Sequence, residues 1–222
     1  MFHHTHPYQP FIPKHTTKLI VGTLPPPRFT TGILKPNDVA FSYGSIDGLL
    51  WPVLEQVFQV SLDYETTEVA ISQRKALLKK HHIGICDIVD SAFRDKVDAS
   101  DAGMRDIKLR DLIAYLEKHK SIHTLLFTGG NSKNGPEYFF RKHLKEYQLK
   151  LEVVNNDVPR IHQFKMPSSN RMITTVSLTS PSGSANRAVG SIQLYKDLKK
   201  QNPKFNTIDF RVLQYRKFFT NL

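Results

Sequence analysis

A single carboxylate interrupts an apolar stretch of the chain. Asp87 stands in IGICDIV, residues 83–89, among isoleucine, valine and cysteine side chains. Burying a charge costs free energy unless the charge is paired or used in chemistry. An ionised carboxylate accepts hydrogen bonds and cannot donate them, so Asp87 is a candidate to bind an N–H group of a ligand. The alternative is a structural ion pair at the end of a strand, with Arg94 or Arg105 as the partner.

A second chemically rich stretch is TSPSGSANR, residues 179–187, which combines small hydroxyl groups with glycine and asparagine. Backbone N–H groups at the start of a helix, together with short hydroxyl side chains, bind phosphate well. The alternative is an ordinary Ser/Pro turn that caps a helix starting at Ala188. The candidate contact residues are Ser180, Ser182, Gly183, Ser184, Asn186 and Arg187.

Strands and helices must alternate to bring these stretches together. Short apolar runs predict strands at 18–22, 83–89, 124–130 and 171–179, with a further short strand at 151–155. Apolar residues at helical spacing predict helices at 48–58, 65–81, 109–116, 136–147, 189–200 and 207–219. This alternation is typical of an α/β fold with three layers, αβα, around a central, mostly parallel four-stranded sheet.

Ligands of such sheets bind beyond the carboxyl ends of the strands. Four segments should therefore share one rim: LPPP after the first strand, Asp87, GGNSKNG after the third strand, and SPSGSANR after the fourth. The sequence thus predicts a single functional edge, built from stretches that are far apart in the chain.

Composition limits the classes of protein to consider. The chain has 222 residues with 31 Lys and Arg against 20 Asp and Glu, a formal net charge of +11, and a single cysteine. One cysteine excludes an internal disulfide framework and a four-cysteine zinc site. No apolar run approaches the roughly 18 residues that a membrane span needs, and the N-terminus has no apolar signal-peptide core. We therefore expect a cytoplasmic protein without membrane contact, and the charge favours a polyanionic partner such as nucleic acid.

The two ends of the chain are its most polar parts. Residues 1–17 carry four histidines and three prolines, including the run HHTH. This run could bind a metal ion weakly, but without acidic or cysteine partners the prediction is a flexible, metal-free segment. Between 196 and 222, seven Lys or Arg residues stand against two Asp residues, which predicts a basic C-terminal helix. That helix either supplies phosphate contacts or presents a solvated face.

Four segments in this order resemble the uracil-DNA glycosylase superfamily over residues 18–200. The superfamily's first motif, strand-Gly-x-x-Pro, is similar to LIVGTLPPP, and its last motif is similar to SPSGSA at 180–185. GSIDGLLWPVL at 44–54 resembles the Phe-Trp-x-Ile-Leu helix start of the hypoxanthine-DNA glycosylase branch. ALLKKHHIGICDIVDSAFR at 76–94 resembles that branch's Leu-Leu…Gly-Ile-Ala-Leu-Trp-Asp-Val-Val segment. The resemblance is closest to this branch and implies one uracil-DNA glycosylase-like domain over 18–222.

The resemblance implies a monofunctional DNA glycosylase of base-excision repair. Such an enzyme flips a deaminated base, uracil or hypoxanthine, out of DNA into a pocket and hydrolyses its N-glycosidic bond. A nearby carboxylate stabilises the oxocarbenium-like sugar. DNA is the implied partner of a monomer that needs no metal, no cofactor and no protein partner, and that is associated with the nucleoid if the source is bacterial.

Two other functions remain open. The first is a catalytically silent member of the same superfamily that only binds nucleic acid. The second is a small-molecule enzyme that binds a phosphate at SPSGSANR, although the nucleotide-binding patterns GxGxxG and GxxxxGK(S/T) are absent.

The resemblance implies which residues of the first motif form the base pocket. Gly22, Thr23, Leu24 and Pro25 match it and are predicted to contact the base. Several branches have Asp or Asn at the third position to handle the attacking water. Leu24 cannot do this, and the hypoxanthine branch is also apolar there. That branch instead has an Asn just before its Phe-Trp pair, where this chain has Gly48.

The remaining implied site residues lie further along the chain. Asp47, beside Gly48, is a catalytic candidate in place of that Asn, and its alternative role is the N-cap of the following helix. Asp87 is the second catalytic candidate, because its carboxylate would accept from the lactam N–H that uracil, hypoxanthine and xanthine have and adenine and cytosine lack. Phe41 and Tyr43 lie where the superfamily stacks the flipped base, or else are two aromatic residues at the edge of the core. SPSGSANR is expected to hold backbone phosphates or to probe the minor groove.

Overall fold

The centre of the molecule is a parallel sheet. The computed structural model describes residues 1–220, so the last two residues of the predicted domain lie outside the described part. Four parallel strands are β2 (Lys18–Val21), β3 (Ile83–Ile85), β6 (Thr124–Phe127) and β9 (Met172–Ser177). They lie side by side in the order β3-β2-β6-β9. The predicted α/β fold with a mostly parallel central sheet is confirmed.

The sheet is wider than the four strands that the sequence predicts. β8 (Arg160–Lys165) pairs antiparallel with β9, and β7 (Glu152–Asn155) pairs antiparallel with β8, which gives a six-stranded sheet. β7 is exposed along its whole length, and β8 has only two apolar residues, Ile161 and Phe164, among four polar or charged ones. Apolar runs identify the strands that are covered on both faces; they do not identify β8, because four of its six residues are polar or charged.

A second, smaller sheet corrects two expectations. β1 (Phe2–Thr5), β4 (Val89–Arg94) and β5 (Met104–Leu109) form an antiparallel sheet in the order β1-β4-β5. The apolar run at 83–89 is therefore not one strand, because β3 ends at Ile85 and the chain enters the second sheet at Val89. Residues 1–17 are not a flexible segment either. β1 pairs with β4, His4 is fully buried, and Phe11 pairs with Ile85 at the edge of the central sheet.

Helices cover both faces of the central sheet. Their bounds are α1 (Pro27–Thr31), α2 (Leu50–Phe58), α3 (Glu68–Lys80), α4 (Leu112–Lys118), α5 (Pro136–Glu146), α6 (Asn186–Ser191), α7 (Gln193–Gln201) and α8 (Thr207–Phe219). α2, α3 and α8 pack on the face that carries Ile20, whereas α4 and α5 pack on the face that carries Leu19 and Val21. Successive residues of a strand point to opposite faces, so β2 must be apolar at each of these positions.

Two predicted helices have other bounds. The apolar spacing at 109–116 includes the end of β5, and α4 begins only at Leu112, where the Asp111 carboxylate caps it by accepting from the Ala114 N–H. The helix predicted at 189–200 is divided into α6 and α7, which meet at Ile192, where the backbone is extended. Among the helices within residues 1–220, none is long and apolar enough to cross a membrane.

Candidate functional site

Groups that can form hydrogen bonds follow three neighbouring strands of the central sheet at their carboxyl ends. Gly22 follows β2, Thr128 follows β6, and Asp87 lies in the connection from β3 to β4. β2 has β3 on one side and β6 on the other, so successive connections leave it in opposite directions. In open α/β sheets this point is where ligands bind. Asp87 therefore lies at the predicted rim, although it is in a connection and not within a strand.

Asp87 is held by three hydrogen bonds from three separate parts of the chain. Its Oδ1 accepts from the Gly22 N–H at 2.8 Å and from the Tyr43 hydroxyl at 2.9 Å, and its Oδ2 accepts from His6 Nε2 at 2.9 Å. The side chain is nearly buried, since Asp87 is only 5% exposed. These donors compensate the burial of the carboxylate.

The prediction that Arg94 or Arg105 forms an ion pair with Asp87 is wrong. Arg94 donates to His4 Nδ1 and to the Ser100 carbonyl, and Arg105 pairs with Asp95. The partner in this structure is His6, in the N-terminal segment that was expected to be flexible.

The hydrogen bonds of His6 define which ring nitrogen carries hydrogen. The Tyr8 backbone N–H donates to His6 Nδ1 at 3.1 Å, so Nδ1 must be the acceptor. Nε2 then carries the hydrogen and donates it to Asp87. A neutral imidazole satisfies both contacts, and the pair with Asp87 does not require a charged histidine.

Tyr43 connects Asp87 to the end of β6. Its hydroxyl donates to Asp87 Oδ1 and contacts Thr128 Oγ1 at 3.0 Å. Burial, followed by the nearby charge of Asp87, raises the pKa of Tyr43 well above its usual value, so the phenol remains a donor. A Cβ added to Gly22 would lie 2.0 Å from this hydroxyl oxygen. The glycine of the first motif is therefore required by the approach of Tyr43.

The two aromatic residues expected to stack on a base are in different environments. Phe41 is only 6% exposed and packs against Phe11 and Trp51 in the core. Tyr43 is half-buried, and its hydroxyl is at the rim. Tyr43 is thus the aromatic side chain that the fold places beside Asp87.

Asp47 is separate from the Asp87 network. Its side chain is 61% exposed and pairs with Lys35 at 2.7 Å and with Arg28 at 3.4 Å. The alternative role as a helix N-cap is wrong, because Leu49 occupies the N-cap position of α2 and no side chain caps that end. Among residues 1–220, Asp47 and Asp87 share no hydrogen-bond partner.

Asp101, which the sequence does not single out, contacts the first motif. The Thr23 hydroxyl donates to Asp101 Oδ1 at 2.9 Å. The preceding residue, Gly22, donates its backbone N–H to Asp87. Burial is the main cause that raises the pKa of Asp101 to about 6, and the charge of Asp87 adds to it. Asp101 lies in a polar connection between β4 and β5, where no apolar pattern or motif marks it.

The SPSGSANR loop lies against the segment before α2. Gly48 pairs with Ser182, and the Leu49 N–H donates to the Pro181 carbonyl at 2.9 Å. The structure thus brings Pro181 and Ser182, at the start of the last motif, to Gly48, where the hypoxanthine branch would have its Asn. Ser182 Oγ accepts from the Ser184 N–H at 3.3 Å, and α6 begins at Asn186, three residues before the helix predicted at 189–200.

Arg211, counted with the basic C-terminal residues, is a buried support of this loop. It is fully buried in α8 and donates to the Ser180 carbonyl at 2.8 Å, the Ser182 carbonyl at 2.9 Å and the Asn186 side-chain oxygen at 2.9 Å. Arg211 is therefore unavailable to DNA phosphates. Gly183, Ser184, Asn186 and Arg187 are exposed on the outer side of the loop.

The HHTH run is divided among unrelated contacts. His3 stacks on Phe93, His4 accepts from Arg94, and His6 donates to Asp87. Within residues 1–220, no group of three or more His, Cys, Asp or Glu side chains is arranged to hold a metal ion.

Neither the protein-family models nor the curated protein sequences include a match to this chain. Among solved structures, a solution NMR structure from Methanosarcina acetivorans, described as a "putative Uracil DNA glycosylase", is similar with a TM-score of 0.56 and 15% sequence identity. The alignment covers 98% of this chain and 97% of that chain. The similarity shows that this chain and the archaeal protein share an α/β fold over nearly their whole lengths.

Proposed function

We propose that this protein is a monofunctional DNA glycosylase that hydrolyses the N-glycosidic bond of a flipped, deaminated base. The observation that carries the proposal is the meeting of Gly22, Tyr43 and Asp87 at the carboxyl ends of β2 and β3, on a fold shared with the archaeal structure. Uracil and hypoxanthine are the proposed bases, with hypoxanthine favoured by the motif resemblance. A monomer in the cytoplasm that uses no cofactor is part of the same proposal.

Asp87 is proposed to read the edge of the base. A carboxylate offers roughly four acceptor positions, and three are filled by Gly22, Tyr43 and His6. The position left on Oδ2 would accept the lactam N–H of a deaminated base, which adenine and cytosine lack. Because Asp87 is 5% exposed, the side chain of Tyr43 or His6 must shift as the base enters.

Contacts to DNA are proposed for the loops around this rim. The exposed hydroxyl of Ser184 and the guanidinium of Arg187 stand at the start of α6, beside the segment at Gly48. A net charge of +11 supports binding to a polyanion. Leu24, Pro25 and Thr23 would form the wall of the base pocket along the first motif.

The test offers duplex and single-stranded oligonucleotides that contain uracil, hypoxanthine or xanthine, followed by alkali to cut abasic sites. The protein is purified from a host without its own uracil excision. Strand cutting at one lesion, and none at the normal base, is the expected result. Absence of cutting with every lesion contradicts the proposal.

A matched set of variants tests the role of Asp87. Asp87→Asn would set its amide N–H₂ against the Nε2–H of His6, so the substitution is made in a His6→Gln background, where the new amide can turn to accept. His6→Gln alone is expected to keep base release within about tenfold, and the double variant to lose at least about a hundredfold. Asp157→Asn, on the exposed connection between β7 and β8, is the control and should match the parent.

The catalytically silent alternative rests on Leu24 and Gly48. Neither has a polar side chain, whereas several branches have Asp or Asn at the first position and the hypoxanthine branch has Asn at the second. It predicts binding to DNA that weakens steeply with salt, with no release of any base. The same oligonucleotides, used in a binding assay at two salt concentrations, separate the two functions.

A further inference from the structure

Three carboxylates, those of Asp47, Asp87 and Asp101, can be compared as groups that handle water. Asp47 is exposed and paired with Lys35 and Arg28. Asp87 has three of its acceptor positions filled by protein donors. Asp101 accepts one side-chain hydrogen bond, from Thr23. Leu24 is apolar and cannot hold a water molecule. Of the two carboxylates bonded to the first motif, Asp101 accepts fewer side-chain or backbone N–H and O–H groups than Asp87 within residues 1–220.

The backbone of Asp101 is fixed by a residue that follows another central strand. Asn134, in the loop after β6, donates its side-chain amide to the Asp101 carbonyl at 2.8 Å. Thr23, in the loop after β2, anchors the side chain through Oδ1. Asp101 therefore joins the loops that follow two neighbouring central strands. Its second oxygen, Oδ2, accepts no hydrogen bond from any residue in the described range 1–220, and the residue is partly exposed.

We propose that Asp101 is the carboxylate that binds and deprotonates the attacking water in the glycosylase reaction. This inference rests on the proposed function. As the water oxygen bonds to C1′ of the sugar, one water proton passes to Asp101 Oδ2. The C1′–N bond breaks, its electron pair leaves with the base, and the base takes up a proton from solvent. Asp101 then returns its proton to solvent, so atoms and charge balance.

The surroundings of Asp101 suit this role. Its pKa is raised to about 6, chiefly by burial; the Thr23 hydroxyl and the Arg94 guanidinium oppose the increase, and the Asp87 carboxylate adds to it. The uncharged Asn134 amide faces its backbone. A general base is most effective when its pKa lies near the working pH, because it is then largely ionised and still a useful base.

The experiment compares wild type with Asp101→Asn and with Asp95→Asn. Asp95 is an exposed residue of the same connection, where it pairs with Arg105, and Asp95→Asn is the matched control. Single-turnover base release is measured across a pH series, binding is measured with DNA that carries a non-cleavable lesion analogue, and thermal unfolding monitors the fold.

Asp101→Asn is expected to slow base release by at least about a hundredfold and to leave affinity for the analogue within about threefold. Wild-type release should fall as the pH drops below about 6, and the remaining activity of the variant should not. Because the neutral amide avoids burying a charge, its melting temperature should equal or exceed that of wild type.

The possible failures are distinct. Base release by Asp101→Asn at nearly the wild-type rate overturns the role of Asp101 while the proposed function stands. A parallel loss of activity and melting temperature also overturns it, because that result identifies a structural group. If wild type releases no base from any substrate, the proposed function and this inference fail together.

Discussion

His6 and Asp87 lie 81 residues apart in the chain, and His6 Nε2 donates a hydrogen bond to Asp87 Oδ2 at 2.9 Å. The N-terminal segment thereby becomes part of the rim at which the central strands end. Its position is set by the pairing of β1 with β4 and of Phe11 with Ile85. Residues 1–17 consequently contribute to the site as well as to the fold.

A double-mutant cycle can measure this contact. Asp87→Asn alone should lower the free energy of unfolding by about 1–3 kcal/mol, because two N–H groups would face each other in a buried position. His6→Gln alone should cost less, since the new side chain can donate to Asp87. The double variant should recover part of the loss, and the cycle is measured by urea unfolding. Strict additivity of the two effects would show that the side chains do not interact.

Gly22→Ala should destabilise the rim. The added Cβ would lie 2.0 Å from the Tyr43 hydroxyl oxygen, so Tyr43 must leave Asp87, at a cost of about 1–3 kcal/mol. Tyr43→Phe should relieve the clash only in part, because the ring carbon Cζ would still be 2.9 Å from the Cβ. Chemical denaturation of both single variants and the double variant gives the comparison.

Gly190→Ala is the control for that substitution. Gly190 lies in α6, and a Cβ there has no neighbouring atom within 4 Å. Alanine favours a helix more than glycine does, by up to about 1 kcal/mol, so this variant should be neutral or slightly more stable. A Gly22→Ala variant as stable as Gly190→Ala would contradict the close approach of Tyr43.

Arg211→Met should loosen the SPSGSANR loop. The substitution keeps an unbranched, mostly apolar stem but removes the guanidinium that donates to Ser180, Ser182 and Asn186, and the expected cost is about 1.5–3 kcal/mol. Hydrogen exchange at 180–187 should accelerate, and affinity for DNA should fall because the exposed residues of the loop lose their fixed positions. Lys217→Met, at an exposed position of the same helix, should leave exchange in the loop unchanged. Equal behaviour of the two variants would contradict a supporting role for Arg211.

The pH dependence of stability should reveal the raised pKa of Asp101. Its pKa is raised from 3.8 in the unfolded chain to about 6 in the fold, so the folded state binds more protons between these values. Its stabilising effect is complete below about pH 4 and is lost as the pH rises through about 6. The melting temperature of Asp101→Asn relative to wild type should therefore increase over this range and then level off. A constant difference would contradict the raised pKa.

Apolar periodicity was sufficient for the central fold. β2, β6 and β9 and helices such as α2 and α8 were predicted at nearly their observed positions, because a segment covered on both faces must be apolar and a helix must repeat its apolar contacts. Periodicity did not predict the end of β3 at Ile85, because the residues from Ile85 to Val89 stay buried while the chain passes from the central sheet into β4 of the second sheet. It also failed at β8 and β1, which depend on hydrogen bonds to a neighbouring strand.

The amino-acid sequence by itself determined the α/β layering, the edge of the sheet at which polar loops gather, and the glycine and carboxylate types present there. Only the tertiary structure decided that Asp87 is held by His6, that Asp101 contacts Thr23, and that Arg211 supports the loop at 180–187 instead of facing solvent. The physical reason is that burial leaves a repeating pattern along the chain, whereas a hydrogen bond between distant residues depends on the positions of both partners in space.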